Sequence, residues 1–297
     1  YKEMKSKGFG KKDFLRRAAE IDGIYVPSLY KVYYNDDGTV KEIIPQDNVR
    51  PIIKKRIIKD FDKVFYPENF VVPFTDIVHD RISVEVLRGC IRGCRFCQAG
   101  FLYRPFREKS PETVCREAET LCGNTGYEEI SLASLSTSDH SEIGKILTEL
   151  IPYTEKQHIN LSLPSLRVDN FSKELMDEVK KVRKSGLTFA PEAGTQRLRN
   201  VINKNVTEEE VMRTCRTAFE GGYTSVKLYF MLGLPTETDE DIVGITKLAQ
   251  KIVDLYYSIP GRQKGKGVQV SISTATFVPK PFTPFEFEPQ ATRSEIM

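Results

Sequence analysis

From about residue 82 onward, short segments rich in β-branched residues alternate with longer amphipathic segments. The strand-like segments are 82–87, 128–132, 160–163, 186–190, 224–230 and 269–277. The helix-like segments are 111–122, 138–150, 172–185, 207–221 and 238–257. Strands that alternate with helices in this way predict parallel pairing, because each parallel connection needs a long crossover.

Several of the helix-like segments carry capping signals at their ends. Ser110, Ser172 and Thr207 each place a hydroxyl at a helix start, and acidic residues follow in the first turn after Ser110 and Thr207. Gly186 and Gly222 fall where a helix should end and the next strand begin. These signals support the alternating pattern independently of the hydrophobic periodicity.

The length of the repeating region limits the architecture. A closed eight-stranded β/α barrel usually needs about 250 residues. We therefore predict an α/β fold in which residues 81–297 form a partial (β/α)6 barrel. An open, doubly wound sheet is the alternative, and in both folds ligands bind beyond the carboxyl ends of the strands. The residues that follow each strand are thus the candidates for a functional site.

Residues 1–80 follow a different pattern and are predicted to form an N-terminal α+β cap. Segment 14–21 favours a helix, and segments 25–34 and 40–44 flank an Asp37-Gly38 turn typical of a β-hairpin. The basic run at Lys54-Lys55-Arg56 is either a solvated face or a contact for an anionic substrate or partner domain.

Charge and hydropathy exclude some classes of protein. The net charge of +3 is too small to indicate a nucleic acid partner by itself. The sequence contains no run of about 18 apolar residues, so no membrane span is predicted. The first residues carry no initiator Met and no signal sequence, and they resemble the middle of a helix. We expect a cytoplasmic protein and a chain cut from a longer one.

Six cysteines are present, and three of them lie within eight residues. Without a secretion signal, this pattern does not indicate a disulfide framework. Cys115, Cys122 and Cys215 lie on helix-like segments and are interpreted as small buried hydrophobic residues.

The other three, Cys90, Cys94 and Cys97, follow the first predicted strand. Thiolates at this spacing can bind three corners of a 4Fe–4S cubane and leave one iron open to a small molecule, whereas ferredoxin-type clusters use four cysteines. Neighbouring residues allow a tight backbone and offset thiolate charge: Gly89, Gly93, Arg88, Arg92 and Arg95. A structural zinc site is the alternative, but it needs four ligands, and His79 is the only histidine nearby.

This motif, with Phe96 before the last cysteine, resembles the signature of the radical S-adenosylmethionine (SAM) superfamily. The resemblance implies an enzyme whose open iron is chelated by the amine and carboxylate of SAM. It also implies a one-electron donor such as flavodoxin or ferredoxin, and a 5′-deoxyadenosyl radical that abstracts a hydrogen atom from an unknown substrate. The cofactor performs the difficult chemistry, and the protein binds and shields it.

The same resemblance suggests residues that would hold SAM. The superfamily commonly has a Gly-Gly-Glu element after the second strand, and here Ser134 and Ser136 stand there instead. Arg167, after the third strand, would contact the methionine carboxylate. Glu192, after the fourth strand, would meet the ribose or amine, and Lys204 would pair with the carboxylate.

Two further SAM contacts are implied at the later strands. Gly233 belongs to a Gly-Leu-Pro-x-Glu-Thr element after the fifth strand, and it would allow close approach to the adenosine. Val278 follows the sixth strand, where the backbone of relatives holds the adenine edge.

A broader resemblance covers essentially the whole chain. Segments 23–30, 92–100, 134–139 and 187–195 are similar to an uncharacterised family of radical SAM proteins with a cobalamin-binding domain ahead of the barrel. No cobalamin-binding sequence is recognised in this chain. The first function hypothesis is therefore a radical SAM enzyme, with methyl transfer or another modification when a cobalamin domain is joined to it. The second is a non-catalytic iron–sulfur protein that senses redox state or acts as a scaffold.

Overall fold

The structure, a computed structural model, describes residues 1–163, 187–260, 265 and 267–296. The chain divides into two compact units, Tyr1–Asp60 and Phe61–Met297. This division falls about twenty residues before the boundary expected between the cap and the barrel, and the assignment of domains stays a prediction. Phe61 is buried, and Asp62 accepts a hydrogen bond from the backbone of Ser110, so both belong to the larger unit.

The smaller unit contains α1 (Lys2–Ser6), α2 (Lys11–Ala19), β1 (Tyr30–Tyr34) and β2 (Val40–Pro45). The two strands form the predicted antiparallel hairpin. Its turn is closed by hydrogen bonds between the backbones of Asn35 and Thr39 and of Asn35 and Gly38, and Gly38 adopts a φ of +83°. A small apolar core of Ala19, Val26 and Leu29 holds the unit together.

The larger unit contains, in chain order, β3 (Ile82–Glu85), β4 (Leu87–Arg88), α3 (Gln98–Leu102), β5 (Arg107–Glu108), α4 (Pro111–Thr125), β6 (Glu129–Ala133), α5 (Ile143–Gln157), β7 (Asn160–Ser162), β8 (Leu187–Glu192), α6 (Gln196–Val201), α7 (Glu208–Glu220), β9 (Ser225–Leu232), α8 (Asp239–Ser258), β10 (Gln269–Thr276) and α9 (Arg293–Ile296). Helix α4 begins at the predicted Ser110 cap, whose hydroxyl accepts from Thr113. Helix α7 begins at the predicted Thr207 cap. Ser172, Gly186 and the predicted helix 172–185 lie outside the described residues.

Six strands form two parallel sheets, β3–β6–β7 and β8–β9–β10. Representative pairs are Val84 with Leu132 and Leu228 with Ile272. The short strands β4 and β5 pair antiparallel and bracket the segment that carries the three cysteines. The predicted α/β class with parallel strands is confirmed.

The strands of the larger unit contribute one face to a common core. On β9, Val226, Leu228 and Phe230 are buried with residues of helices α4, α5, α7 and α8. The alternate positions, Lys227 and Tyr229, are exposed. A central strand of a doubly wound sheet is covered by helices on both faces. In the described part of the chain, β9 is covered on one face only, as expected of a strand in a partial barrel with an open inner side, whereas on β6 the alternate residue Ser131 is buried as well.

Within the described ranges, none of the helices combines the length and apolar character needed to cross a bilayer.

Candidate functional site

The three cysteines lie between β4 and β5, just past the carboxyl ends of β3 and β4. Cys94 is buried, whereas Cys90 and Cys97 are partly exposed, and none forms a disulfide. The loop turns sharply at Gly89, whose φ is +89°. A Cβ there would lie 2.8 Å from the carbonyl oxygen of Tyr103, so only glycine fits this position.

The donor set of this loop fits a 4Fe–4S cluster. Three free thiols follow one another on a short glycine-containing loop, and the backbone N–H of Arg92 points at Sγ of Cys90 over 3.4 Å. Hydrogen bonds to the sulfurs are a common feature of such clusters. Among the described residues, no three His, Cys, Asp or Glu side chains are close enough to share one metal ion. The cysteines of a cubane bind different iron atoms and need not converge on one point.

The remaining cysteines have a different environment. Burial raises the pKa of Cys115 to about 12, of Cys122 to about 11 and of Cys215 to about 12. Because the thiolate is the form that binds metal, these neutral thiols are poor ligands. Their side chains pack in the main core, as predicted.

An ion pair joins the cysteine loop to the segment after β6. The guanidinium of Arg92 donates two hydrogen bonds to Asp139, at 3.1 Å and 2.5 Å. Ser136 is buried and donates to the same carboxylate over 2.7 Å, while Ser134 bonds to Thr137. Ser136 is therefore linked to the cysteine loop through Asp139, and both predicted serines have a hydrogen-bond partner within the chain.

The other side of the cysteine loop contacts the segment around α6. The backbone N–H of Arg95 donates to the carbonyl oxygen of Ile202, and the side-chain amide of Asn203 donates to that of Gly93 over 2.8 Å. Phe96 packs against an apolar cluster, called here the Phe96 cluster. Its buried members are Ala193, Leu198, Ile202, Leu234, Phe277 and Phe285. Near α3, the side chain of Gln98 donates to the carbonyl oxygen of Pro281, beyond β10.

Glu192 and Lys204 form an ion pair at the carboxyl end of β8. Lys204 Nζ lies 3.1 Å from Glu192 Oε1, and both side chains are largely buried. Glu192 adopts a positive φ of 70°, and the residues on either side of Lys204, Asn203 and Asn205, also have positive φ. Such backbone is uncommon for glutamate, although asparagine adopts it more readily, and it is often found at functional sites.

A glycine contact places the turn after Glu192 against helix α8. A Cβ on Gly194 would lie 2.3 Å from both the carbonyl oxygen of Asp241 and the nitrogen of Ile245. Facing it, a Cβ on Gly244 would lie 2.8 Å from the side chain of Thr195. The two backbones therefore touch directly, and this contact fixes the position of the segment that carries Glu192.

The carboxylate of Asp241 reinforces this contact. It is buried and accepts hydrogen bonds from Thr195, from Arg197, and from both the backbone and hydroxyl of Thr238. Burial alone would raise the pKa of Asp241, but these hydrogen bonds outweigh it and lower the pKa to about 2. The charged form of Asp241 is therefore the one that holds the turn after Glu192 against the start of α8.

We expect Asp241→Asn to destabilise the fold at neutral pH by about 2 kcal/mol. Since the folded pKa is about 2 and the ordinary value is 3.8, this stabilisation is complete above about pH 4 and disappears as the pH falls to 2. Urea unfolding of both proteins at pH 6, 4 and 3 measures the difference. Asp254→Asn, an exposed position on the same helix, is the control. A difference independent of pH would contradict this account.

The segment after β9 borders a cleft of about 640 Å³. Gly233 has a φ of +76°, and its N–H donates to Glu237 over 2.6 Å. A Cβ on Gly233 would lie 2.9 Å from that of Ala291, which gives a local reason for glycine. Burial raises the pKa of Glu237, which borders the same cleft. Val278 is exposed just past β10.

Most predicted site residues thus follow the carboxyl ends of the strands. The cysteine loop contacts the segments after β6, β8 and β10, whereas Arg167 lies outside the described residues. Sequence reasoning missed Asp139, Asp241 and Asn203. A charged residue a few positions beyond a predicted strand end is a signal that could have found Asp139.

The chain is similar to proteins of one known superfamily. Residues 84–249 match the family model described as the radical SAM superfamily. An uncharacterized protein of Methanocaldococcus jannaschii is 31% identical over 255 residues, which cover 86% of this chain and 52% of that protein. An uncharacterized methyltransferase of Pyrococcus horikoshii is 24% identical, covering 83% of this chain and 50% of that protein. The chain spans about half the length of the curated relatives it matches.

Solved structures share the fold. The cobalamin-dependent S-adenosylmethionine radical enzyme OxsB, with aqua-cobalamin and S-adenosylmethionine bound, superposes with a TM-score of 0.57 at 14% identity, covering 86% of this chain and 40% of that one. The radical S-adenosylmethionine methyltransferase TsrM from Kitasatospora setae, with cobalamin and a 4Fe–4S cluster bound, gives a TM-score of 0.55 at 16% identity, covering 70% and 36%.

Proposed function

The chain belongs to the radical SAM superfamily of enzymes, and from this premise we propose that it cleaves S-adenosylmethionine reductively to generate a 5′-deoxyadenosyl radical. The observation that carries the proposal is the position of the cysteine loop. It contacts segments from both sheets through Arg92, Arg95 and Phe96. A cofactor bound at this loop would lie at the shared carboxyl edge of the strands, where β/α folds bind their ligands.

In this proposal, Cys90, Cys94 and Cys97 hold a 4Fe–4S cluster. When bound and reduced, such a cluster supplies one electron to the sulfonium group of SAM. The contribution of the protein is to bind, orient and exclude water. Phe96 and its apolar cluster would shield one side of the site, and the N–H of Arg92 would stabilise the charge on the Cys90 sulfur.

The Glu192–Lys204 pair suits the amino acid end of SAM. That end presents an amine and a carboxylate, the two groups that would chelate the open iron. Lys204 would face the carboxylate, so that opposite charges meet, and Glu192 would accept a hydrogen bond from the amine or from a ribose hydroxyl. The two side chains lie 3.1 Å apart, so both would meet the same end of the ligand.

The remaining contacts are proposals at the same edge. Gly233 and Val278 would approach the adenosine through their backbones, and Ser134, Ser136 and Arg167 would complete the cradle. The inner face of β9, with the exposed Lys227 and Tyr229, leaves room for a substrate beside it.

We propose group transfer to the substrate as the reaction class, with methyl transfer favoured. Support comes from the relatives, which include the Pyrococcus horikoshii methyltransferase and a threonylcarbamoyladenosine tRNA methylthiotransferase of Bacillus subtilis that is 24% identical over 67% of this chain and 44% of its own length. Cobalamin would be bound by another domain of the full-length protein, and flavodoxin or ferredoxin would supply the electron.

Anaerobic reconstitution with iron and sulfide tests the proposal. The loaded protein, reduced with dithionite in the presence of SAM, is expected to release 5′-deoxyadenosine, detected by liquid chromatography and mass spectrometry. Added cobalamin together with the full-length protein is expected to yield S-adenosylhomocysteine as well. A cluster spectrum without any SAM cleavage would contradict the proposal and favour a redox-sensing or scaffold protein.

We expect Lys204→Met to weaken SAM binding by about ten- to a hundredfold, because a charge-assisted hydrogen bond to the carboxylate is lost. Isothermal titration calorimetry of the oxidised, cluster-loaded protein gives the dissociation constant without turnover. Lys251→Met is the matched control, since Lys251 forms an exposed ion pair with Glu208 on α7. Equal affinities for the Lys204→Met and unaltered proteins would remove Lys204 from the proposed cradle.

A further inference from the structure

We propose that Asp139 is a positioning residue that balances the charge of Arg92 and thereby sets the reduction potential of the cluster. This inference rests on the proposed function, because it requires a cluster on the cysteine loop. Asp139 is not a cluster ligand and belongs to the segment after β6, 47 residues away in sequence from Arg92. Its influence would reach the cluster through that arginine.

The geometry of the pair is that of a fixed, two-point contact. Arg92 Nε and one terminal nitrogen each donate to a different oxygen of Asp139. The Asp139 side chain is 1% exposed, whereas that of Arg92 is 23% exposed. The hydroxyl of Ser136 donates to the same carboxylate, so its orientation does not depend on Arg92 alone. Bidentate pairs of this kind hold both partners in one orientation.

The main chain of Arg92 is held as firmly as its side chain. Its N–H points at Sγ of Cys90, and its carbonyl oxygen accepts from Arg104 over 2.9 Å. Arg104 also donates to the carbonyl oxygen of Gly100, beyond Cys97. The main chain of Arg92, between Cys90 and Cys94 in sequence, is therefore held at both its N–H and its carbonyl oxygen.

Charge is the reason that this pair matters for an iron–sulfur cluster. Reduction adds one negative charge to the cluster, so a nearby positive charge favours it and a nearby negative charge opposes it. With both partners present, Arg92 and Asp139 nearly cancel. Removing one partner takes one charge of one sign away from the neighbourhood of the cluster, at a place largely shielded from solvent. The two single variants should therefore change the potential in opposite directions.

Potentiometric titration followed by electron paramagnetic resonance tests this inference on reconstituted protein without SAM. Asp139→Asn is expected to raise the potential, and Arg92→Gln to lower it. Each shift corresponds to about a tenfold change in the ratio of reduced to oxidised cluster at a fixed solution potential. The Asp139→Asn/Arg92→Gln double variant is expected to return towards the unaltered protein.

Glu129→Gln is the matched control. Arg81 pairs with Glu129 over 2.6 Å at the amino-terminal ends of β3 and β6, opposite to the strand ends that the cysteine loop and Asp139 follow. That variant is expected to leave the potential unchanged. Iron content provides a second readout, since charge balance predicts better cluster loading of the double variant than of Asp139→Asn alone.

The outcomes separate this inference from the function on which it rests. Failure of the unaltered chain to bind any cluster would overturn the proposed function. A normal cluster in the unaltered chain, with both single variants shifting the potential in the same direction or not at all, would overturn only the role of Asp139. Equal loss of iron from the double variant and Asp139→Asn would do the same, because it would indicate a purely structural contact.

Discussion

Cys97→Ala is expected to lower the rate of SAM cleavage by more than about a hundredfold, because two thiolates cannot hold a cubane in the geometry that leaves one iron open. Cys97 stands at the start of α3, and its sulfur lies beside Gly100. The loss should be visible before any assay, as a missing cluster absorbance and a low iron content after reconstitution. Release of 5′-deoxyadenosine then gives the catalytic effect.

Cys115→Ala provides the control for this experiment. Cys115 is also a free cysteine, but it lies on α4 and packs in the main hydrophobic core, where burial raises its pKa to about 12. The variant should lose a little stability and keep both the cluster and the cleavage activity. Full activity of Cys97→Ala would show that the cysteine loop is not the cluster site.

Gly194→Ala is expected to destabilise the fold by about 3 kcal/mol or more, because there is no space for a methyl group. Its Cβ would overlap backbone atoms of Asp241, Gly244 and Ile245 on α8, which cannot move away as a side chain would. Gly194 does not have a positive φ, so the effect is one of packing and not of backbone strain. The urea midpoint of the apo protein measures it.

The helical Gly123 offers a matched substitution with the opposite expectation. A Cβ at Gly123 in α4 would meet no atom within 4 Å. Gly123→Ala should therefore stabilise the protein by about 0.5–1 kcal/mol, as alanine loses less conformational freedom in a helix than glycine. Equal stabilities of Gly194→Ala and the unaltered protein would contradict the close contact between the β8–α6 turn and α8.

Features that depend on neighbouring residues were predicted well. The hydrophobic periodicity predicts the ends of α8 to within one residue and those of β9 to within two. The Ser110 and Thr207 caps are formed as predicted, because each needs only a hydroxyl and a backbone N–H three residues away. The three cysteines could likewise be identified from their spacing alone, because all three thiols lie within one short segment.

Features that depend on distant residues were not predicted. Arg92 was interpreted only as a charge that offsets the thiolates, and its partner Asp139 lies 47 residues further on. The predicted helix start at residue 138 was also too early: residues Thr137–Asp139 form a 3-10 turn, and α5 begins at Ile143. A turn that buries Ser136, whose hydroxyl donates to Asp139, is specified by tertiary contacts, which no local pattern reveals.

The contacts of the cysteine loop also determine at what stage of synthesis and folding a cluster can be inserted. Arg95 bonds to the carbonyl oxygen of Val201, 106 residues later in the chain, and Gln98 bonds to that of Pro281, 183 residues later. A ribosome delivers the thiols long before these residues, at a rate of about 5–20 residues per second. Delivery of iron and sulfur to a settled loop therefore follows translation of the whole barrel, and until then the cysteines depend on the cell to keep them reduced.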